Sequence, residues 1–129
     1  MEINKRKTSL HRVFSCLLIL ALLWGALPAL AEVTHGVVTG DRVLFRKATT
    51  GSDYWDRLDL GWVAKVLDEF KSGGYTWYKV ETNTPKFKDR TYTGYIRGDF
   101  FRMLTQAEES AWLVNKPQPD PSLGGVKTD

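Results

Sequence analysis

Beyond residue 31 the chain has no cysteine; Cys16 is the single one in 129 residues. A thiol nucleophile, a disulfide framework and a thiolate metal site are therefore excluded for residues 32–129, which must fold on packing alone. Histidine is nearly as scarce. His35 is the one imidazole after His11, and a lone histidine with no second His or Cys makes a poor metal site. No metal or other cofactor is expected. Excess charge is lacking as well. The chain has 18 basic and 15 acidic residues, but Lys5, Arg6, Lys7 and Arg12 stand against Glu2 near the N-terminus. Fourteen residues of each sign remain after position 31. Nucleic-acid binders carry a surplus of Lys and Arg that displaces counterions from phosphates; without it, no nucleic-acid partner is expected. Nor does any spacing of the carboxylates single out an acid–base pair, so an enzyme is not expected.

Long apolar runs are confined to one place. Residues 1–12 are basic, Val13 to Trp24 is almost wholly apolar, and Gly25, Pro28 and Ala29-Leu30-Ala31 follow. This order is that of a Sec-type secretory signal, with small side chains at the cleavage site and a proline just upstream. The sequence predicts a signal-peptide helix within residues 1–31 and cleavage between Ala31 and Glu32. Val13 to Ala31 is 19 residues, close to the ~20 that span a bilayer, so retention as an anchor is the competing reading. Both readings place residues 32–129 in a secreted or envelope setting, and with cleavage the membrane is met only transiently.

The remainder has room for one small domain. From His35 to Leu104 short apolar runs alternate with turn clusters. Gly40-Asp41 separates Val37-Val38-Thr39 from Val43-Leu44-Phe45, and Ser72-Gly73-Gly74 separates Trp62–Phe70 from Tyr75–Thr82. Lys47 to Asp53 and residues 83–91 read as loops, and Gly94 within Tyr92–Arg97 marks a bend or a close backbone approach. Trp62, Ala64 and Val66 share one strand face and Val63 and Lys65 the other. Five to six short strands predict an all-β domain over residues 33–104, a small barrel or a sandwich; closure as a barrel removes exposed edges. Thr105-Gln-Ala-Glu108 has the form of a capping box. It predicts a short helix over 105–116, docked through Trp112 or Leu113. Pro117, Pro119 and Pro121 predict a disordered tail over 117–129.

The ordered segments Val43-Leu44-Phe45-Arg46, Trp62-Val63-Ala64-Lys65-Val66-Leu67, Gly74-Tyr75-Thr76-Trp77-Tyr78-Lys79-Val80, Gly94-Tyr95-Ile96 and Phe101-Arg102-Met103-Leu104 resemble the bacterial SH3-like (SH3b) domain family. The resemblance covers about 70 residues in the family's order. Three departures mark this chain: Lys47-Ala48-Thr49-Thr50 in place of a Ser-Gly-Pro run, Trp62 paired with a small Ala64, and a long loop after Asn83. The resemblance implies an SH3-like barrel and a non-catalytic module that binds cell-wall peptidoglycan or a peptide. The alternative is an envelope subunit that meets another protein.

By strand parity Tyr78, Val80 and Ile96 face the core, which leaves Trp77 and Tyr95 on the other face of adjacent strands, where they can pair. In the family's frame Trp55 docks the polar loop on the core and Tyr54 stays on the surface. Tyr54, Trp77 and Tyr95 are thus the candidate ligand-binding residues, with Asp53 and Asp56 suiting Tyr54 to a cationic peptide. Arg46 is the candidate loop-fixing residue, through loop carboxylates or carbonyls.

Overall fold

The computed structural model describes residues 32–124. The expected signal segment and Ala31 lie outside the described residues, as do 125–129. Seven strands are present: β1 (His35–Val38), β2 (Val43–Arg46), β3 (Tyr54–Leu58), β4 (Val63–Ser72), β5 (Tyr75–Thr82), β6 (Tyr92–Arg97) and β7 (Phe101–Met103). Helices α1 (Gln106–Asn115) and α2 (Pro121–Gly124) follow. The strands form one antiparallel sheet in the order β3-β2-β6-β5-β4-β1-β7.

The expected closed barrel is not formed: β3 and β7 are edges of an open sheet. Side chains from every strand nonetheless meet in one core. Val38, Val43, Phe45, Leu58, Ala64, Val80, Ile96 and Phe101 pack there, with Trp62 from the turn before β4. A sheet whose two edge strands contribute to one cluster must curl around it. The edges are managed by other means. β7 is only three residues long, and β3 carries Asp56 and Arg57 and sits across a bulge at Phe45/Arg46; short, charged and bulged edges resist pairing with another chain.

The strand count exceeds expectation because β3 reads Tyr-Trp-Asp-Arg-Leu. Its charged pair breaks the apolar alternation by which strands are recognised. The β4–β5 hairpin is as expected, with Ser72 opposite Tyr75 and Gly73 and Gly74 both at positive φ, the requirement of a tight two-residue turn. Trp62 and Ala64 are both 1 % exposed, and the large and small side chains share the core.

A bulge in β4 has a larger consequence. Val66 pairs with Val80 and Asp68 with Lys79, leaving Leu67 without a partner. One extra residue inverts which side chains face inward. Phe70, which shares parity with Trp62, Ala64 and Val66, is turned to the outer face and lies opposite Trp77.

A second core of Val37, Val63, Leu104 and Trp112, joined by Val33 and Leu123, lies under α1 and α2. The capping box is formed: the Thr105 hydroxyl accepts from the Glu108 amide, and Glu108 accepts from the Thr105 amide at 2.8 Å. Trp112 is the docking residue, whereas Leu113 is exposed. The expected tail is corrected over 117–124, which is ordered against the sheet. The Gln118 side chain accepts from the Val63 amide at 2.8 Å and donates to its carbonyl at 2.6 Å, much as a neighbouring strand would. The Asp120 amide donates to the Gly61 carbonyl at 2.9 Å. Gly61 has φ +86, and a Cβ there would collide with the Asp120 backbone, so glycine is required at this contact. A proline-rich composition implies disorder only when backbone groups lack partners, and here they have them.

Candidate functional site: arginines on aromatic platforms

Strand register places the expected site residues on one sheet face. Tyr54 pairs with Arg46, Arg46 with Tyr95, Tyr95 with Lys79 and Lys79 with Asp68, a row across β3, β2, β6, β5 and β4. The adjacent row runs Phe70, Trp77, Arg97. Parity thus assigns Trp77 and Tyr95 to the outer face, but it does not expose them equally. Tyr54 is 46 % exposed, Tyr95 is half-buried, and Trp77 is only 4 % exposed. The Trp77 indole donates to the Ser72 carbonyl at 3.1 Å, and the Arg46 guanidinium lies over its ring at 5.7 Å. Phe70 meets Tyr95 edge-on at 6.0 Å. An open Trp77–Tyr95 surface pair is therefore not what the fold builds.

Trp55 also departs from expectation. It is 37 % exposed rather than part of the core. Its ring lies 4.7 Å from Tyr92, its indole donates to the Thr93 carbonyl at 3.0 Å, and the Lys47 ammonium sits 4.5 Å from the ring. The bulge in the β2–β3 pairing is responsible: Phe45 pairs with Asp56 and Arg46 with Tyr54, so Trp55 is the extra residue. Gly94 makes room for it. A Cβ at Gly94 would lie 2.5 Å from the Arg46 carbonyl oxygen and 3.0 Å from the Trp55 ring. This is the close approach that the glycine foretold.

Arg46 donates to the Gly51 carbonyl and so ties the loop between β2 and β3. Asp56 is engaged by backbone amides, accepting from Arg57 at 2.7 Å and Lys86 at 3.0 Å. Burial pushes its carboxyl up, but these bonds outweigh it and hold it below its ordinary value. Cations join the expected carboxylates around Tyr54: the Arg57 guanidinium lies 5.6 Å from its ring and Arg46 is its cross-strand partner, beside Asp53 and Asp56.

Beside this face lies an open pocket of about 330 Å³ that the sequence did not disclose. It is lined by the turn Gly40–Val43, by Leu44, Arg46, Arg57 and Arg97, and by Phe100. Four of the six arginines beyond residue 31, counting Arg42 in the turn, border this one cavity. Three of them rest on aromatic rings: Arg46 on Trp77, Arg57 on Tyr54, and Arg97 on Tyr75 at 4.4 Å and Phe100 at 5.1 Å. A cation–π contact steadies a guanidinium over a ring while leaving its edge N–H groups available.

Their partners differ. Arg97 binds Asp99 through two bonds of 2.7 and 2.8 Å, which hold the guanidinium above its ordinary pKa. Arg42 meets Asp59 at 3.3 Å. Among the described residues, the Arg46 and Arg57 guanidinium groups have no carboxylate partner; that of Arg57 donates only to the Arg42 carbonyl, at 3.3 Å. No single strand carries this cluster. It forms because the β1–β2 turn, β2, β3 and β6 converge at one corner of the sheet.

No group of three or more His, Cys, Asp or Glu side chains able to hold a metal occurs among the described residues. No family model, curated protein or solved structure matches the chain.

Proposed function

We propose that the chain is a secreted, non-catalytic binding module of SH3-like type, which recognises cell-wall peptidoglycan or a peptide through the outer face of its sheet. The observation that carries this reading is the Tyr54–Arg46–Tyr95 row and the arginine-lined pocket beside it. Aromatic shelves next to fixed hydrogen-bond donors are a common arrangement for extended polar ligands. The order of the sequence segments resembling the SH3b family and the signal-like N-terminus support the same reading. The test is retention of the purified protein on isolated peptidoglycan and on a peptide array. The reading expects retention on one of them that Tyr54→Ala and Tyr95→Ala weaken; binding to neither surface contradicts it.

A second reading, an envelope subunit that meets another protein, is favoured by one separate observation. Leu113 and Val114, adjacent on α1, are 43 % and 76 % exposed. A partner docked on that helix would be lost on Val114→Asp and retained on Tyr54→Ala.

A further inference from the structure

We propose that the pocket between the β1–β2 turn, β3 and β6 is a carboxylate-binding subsite, which receives a free carboxylate of a peptide ligand between Arg46 and Arg57. The inference rests on the binding-module reading only for the identity of the larger ligand; the anion site itself stands on four observations.

The first is convergence: Arg42, Arg46, Arg57 and Arg97 border one cavity although the chain beyond residue 31 has no net charge. The second is preparation. Three of these guanidinium groups are stacked on rings, and a donor held in place loses little freedom when a ligand arrives. The third is unused capacity. The Arg46 and Arg57 side chains have no carboxylate partner among the described residues, and each donates to a backbone carbonyl alone. A guanidinium has five N–H donors, so capacity remains for an incoming oxygen. The fourth is backbone geometry. Arg42, in the turn lining the pocket, has φ +54, a left-handed conformation that is unfavourable for a residue with a Cβ. Such outliers concentrate at binding sites.

The local acids favour a monoanion over a phosphate dianion. The four arginines stand beside Asp41 in the wall, Asp59 on Arg42 and Asp99 on Arg97, and the Asp56 carboxylate also acts on Arg42. The cluster therefore has no surplus of positive charge to hold a dianion, and a phosphate meets Asp41 in the wall. The planar fork of a guanidinium also matches the two coplanar oxygens of a carboxylate.

The experiment is a ¹⁵N-resolved NMR titration of the purified protein, read at the arginine Nε–Hε signals and backbone amides. The probes are an N-acetylated dipeptide with a free C-terminal carboxylate, the same dipeptide as its C-terminal amide, and inorganic phosphate. The acid is expected to shift the Arg46 and Arg57 signals saturably, the amide to leave them in place, and phosphate to bind more weakly than the acid. Arg57→Gln is expected to weaken the acid about tenfold, the loss of one charge-assisted pair, with the amide spectrum of the sheet unchanged. Arg57→Lys, which keeps the charge but not the fork, is expected to restore only part of the affinity. Equal shifts from acid and amide, absence of saturation, tighter phosphate binding, or an unchanged affinity in Arg57→Gln would each overturn the assignment. The contrast of acid with amide does not depend on any wall or peptide-array result. Saturable acid binding without retention on those surfaces refutes the module reading alone; retention indifferent to Arg57→Gln refutes the subsite alone.

Discussion

The two ends of this molecule use arginine in opposite ways. At the α1 end, Arg102 holds Glu108 through two bonds of 2.8 Å and donates to the Leu123 and Met103 carbonyls at 2.9 and 3.2 Å. Glu108 is also the reciprocal half of the Thr105 cap. That arginine is consumed by the fold: it joins β7, α1 and α2. At the pocket end, the Arg46 and Arg57 guanidinium groups touch rings and backbone carbonyls and meet no carboxylate among the described residues. A buried Nε without an acceptor occurs in both Arg46 and Arg102, so the difference lies in the carboxylates. Equal numbers of positive and negative residues conceal it, because a charge total does not say which charges face each other.

If the α1 end is structural, removing its anchor has the largest effect. Trp112→Ala empties the site against Val37, Val63 and Leu104 and breaks the indole bond to the Pro117 carbonyl at 2.9 Å. It is expected to cost about 3 kcal/mol, measured by urea denaturation, with faster amide exchange in α1 and little change in the pocket signals.

Arg102→Ala strips Glu108 of its cation and is expected to cost about 2 kcal/mol by the same measurement. Arg57→Gln, the matching change at the other end, is expected to change stability by less than about 0.5 kcal/mol. A comparable loss at both positions would erase the distinction.

Acid sharpens it further. The hydrogen bonds of Arg102 hold Glu108 well below its ordinary value, at about 2, against the opposing push of burial. Its folded-state pKa is depressed, so the stabilisation is complete above the unfolded value of ~4.5 and is lost as pH falls toward ~2. Glu109 moves in the same direction: burial pushes it up, but bonds from His35 and Thr34 outweigh this and lower it. Stability is therefore expected to fall by about 2 kcal/mol across that window, after allowance for a partly exposed pair. Glu108→Gln should flatten most of the slope, whereas Arg57→Gln should leave it as it is.

A smaller loss than at Trp112 or Arg102 concerns the tail. Gln118→Ala removes both bonds to Val63 and is expected to cost about 1 kcal/mol, with exchange protection lost at the Val63 amide.

Much of the α1 end was legible in the sequence. A capping box is a local pattern, and Trp112 on a short helix has few places to go but the core. The order against the sheet of 117–124 was not, since Gln118 finds Val63 only in three dimensions. The outer sheet face was half legible. Parity assigned Trp77 and Tyr95 correctly, but burial of Trp77 depends on Arg46 from another strand, and Phe70 reached that face through a bulge that no periodicity announces. Trp55 was misplaced for the same reason, being the extra residue of a bulge. The pocket was not legible at all. Arg42, Arg46, Arg57 and Arg97 are spread over three strands and a turn, and only the sheet order brings them together. Its sole trace in the sequence was Arg46, identified for a role in the adjacent loop.

The direct test of the contrast between the two ends is a single titration with the N-acetylated dipeptide acid, following Arg57 and Arg102 in the same spectra. The account predicts that the Arg57 side-chain signal moves to saturation while that of Arg102 stays where it is. Movement of both together, or of Arg102 alone, would contradict it.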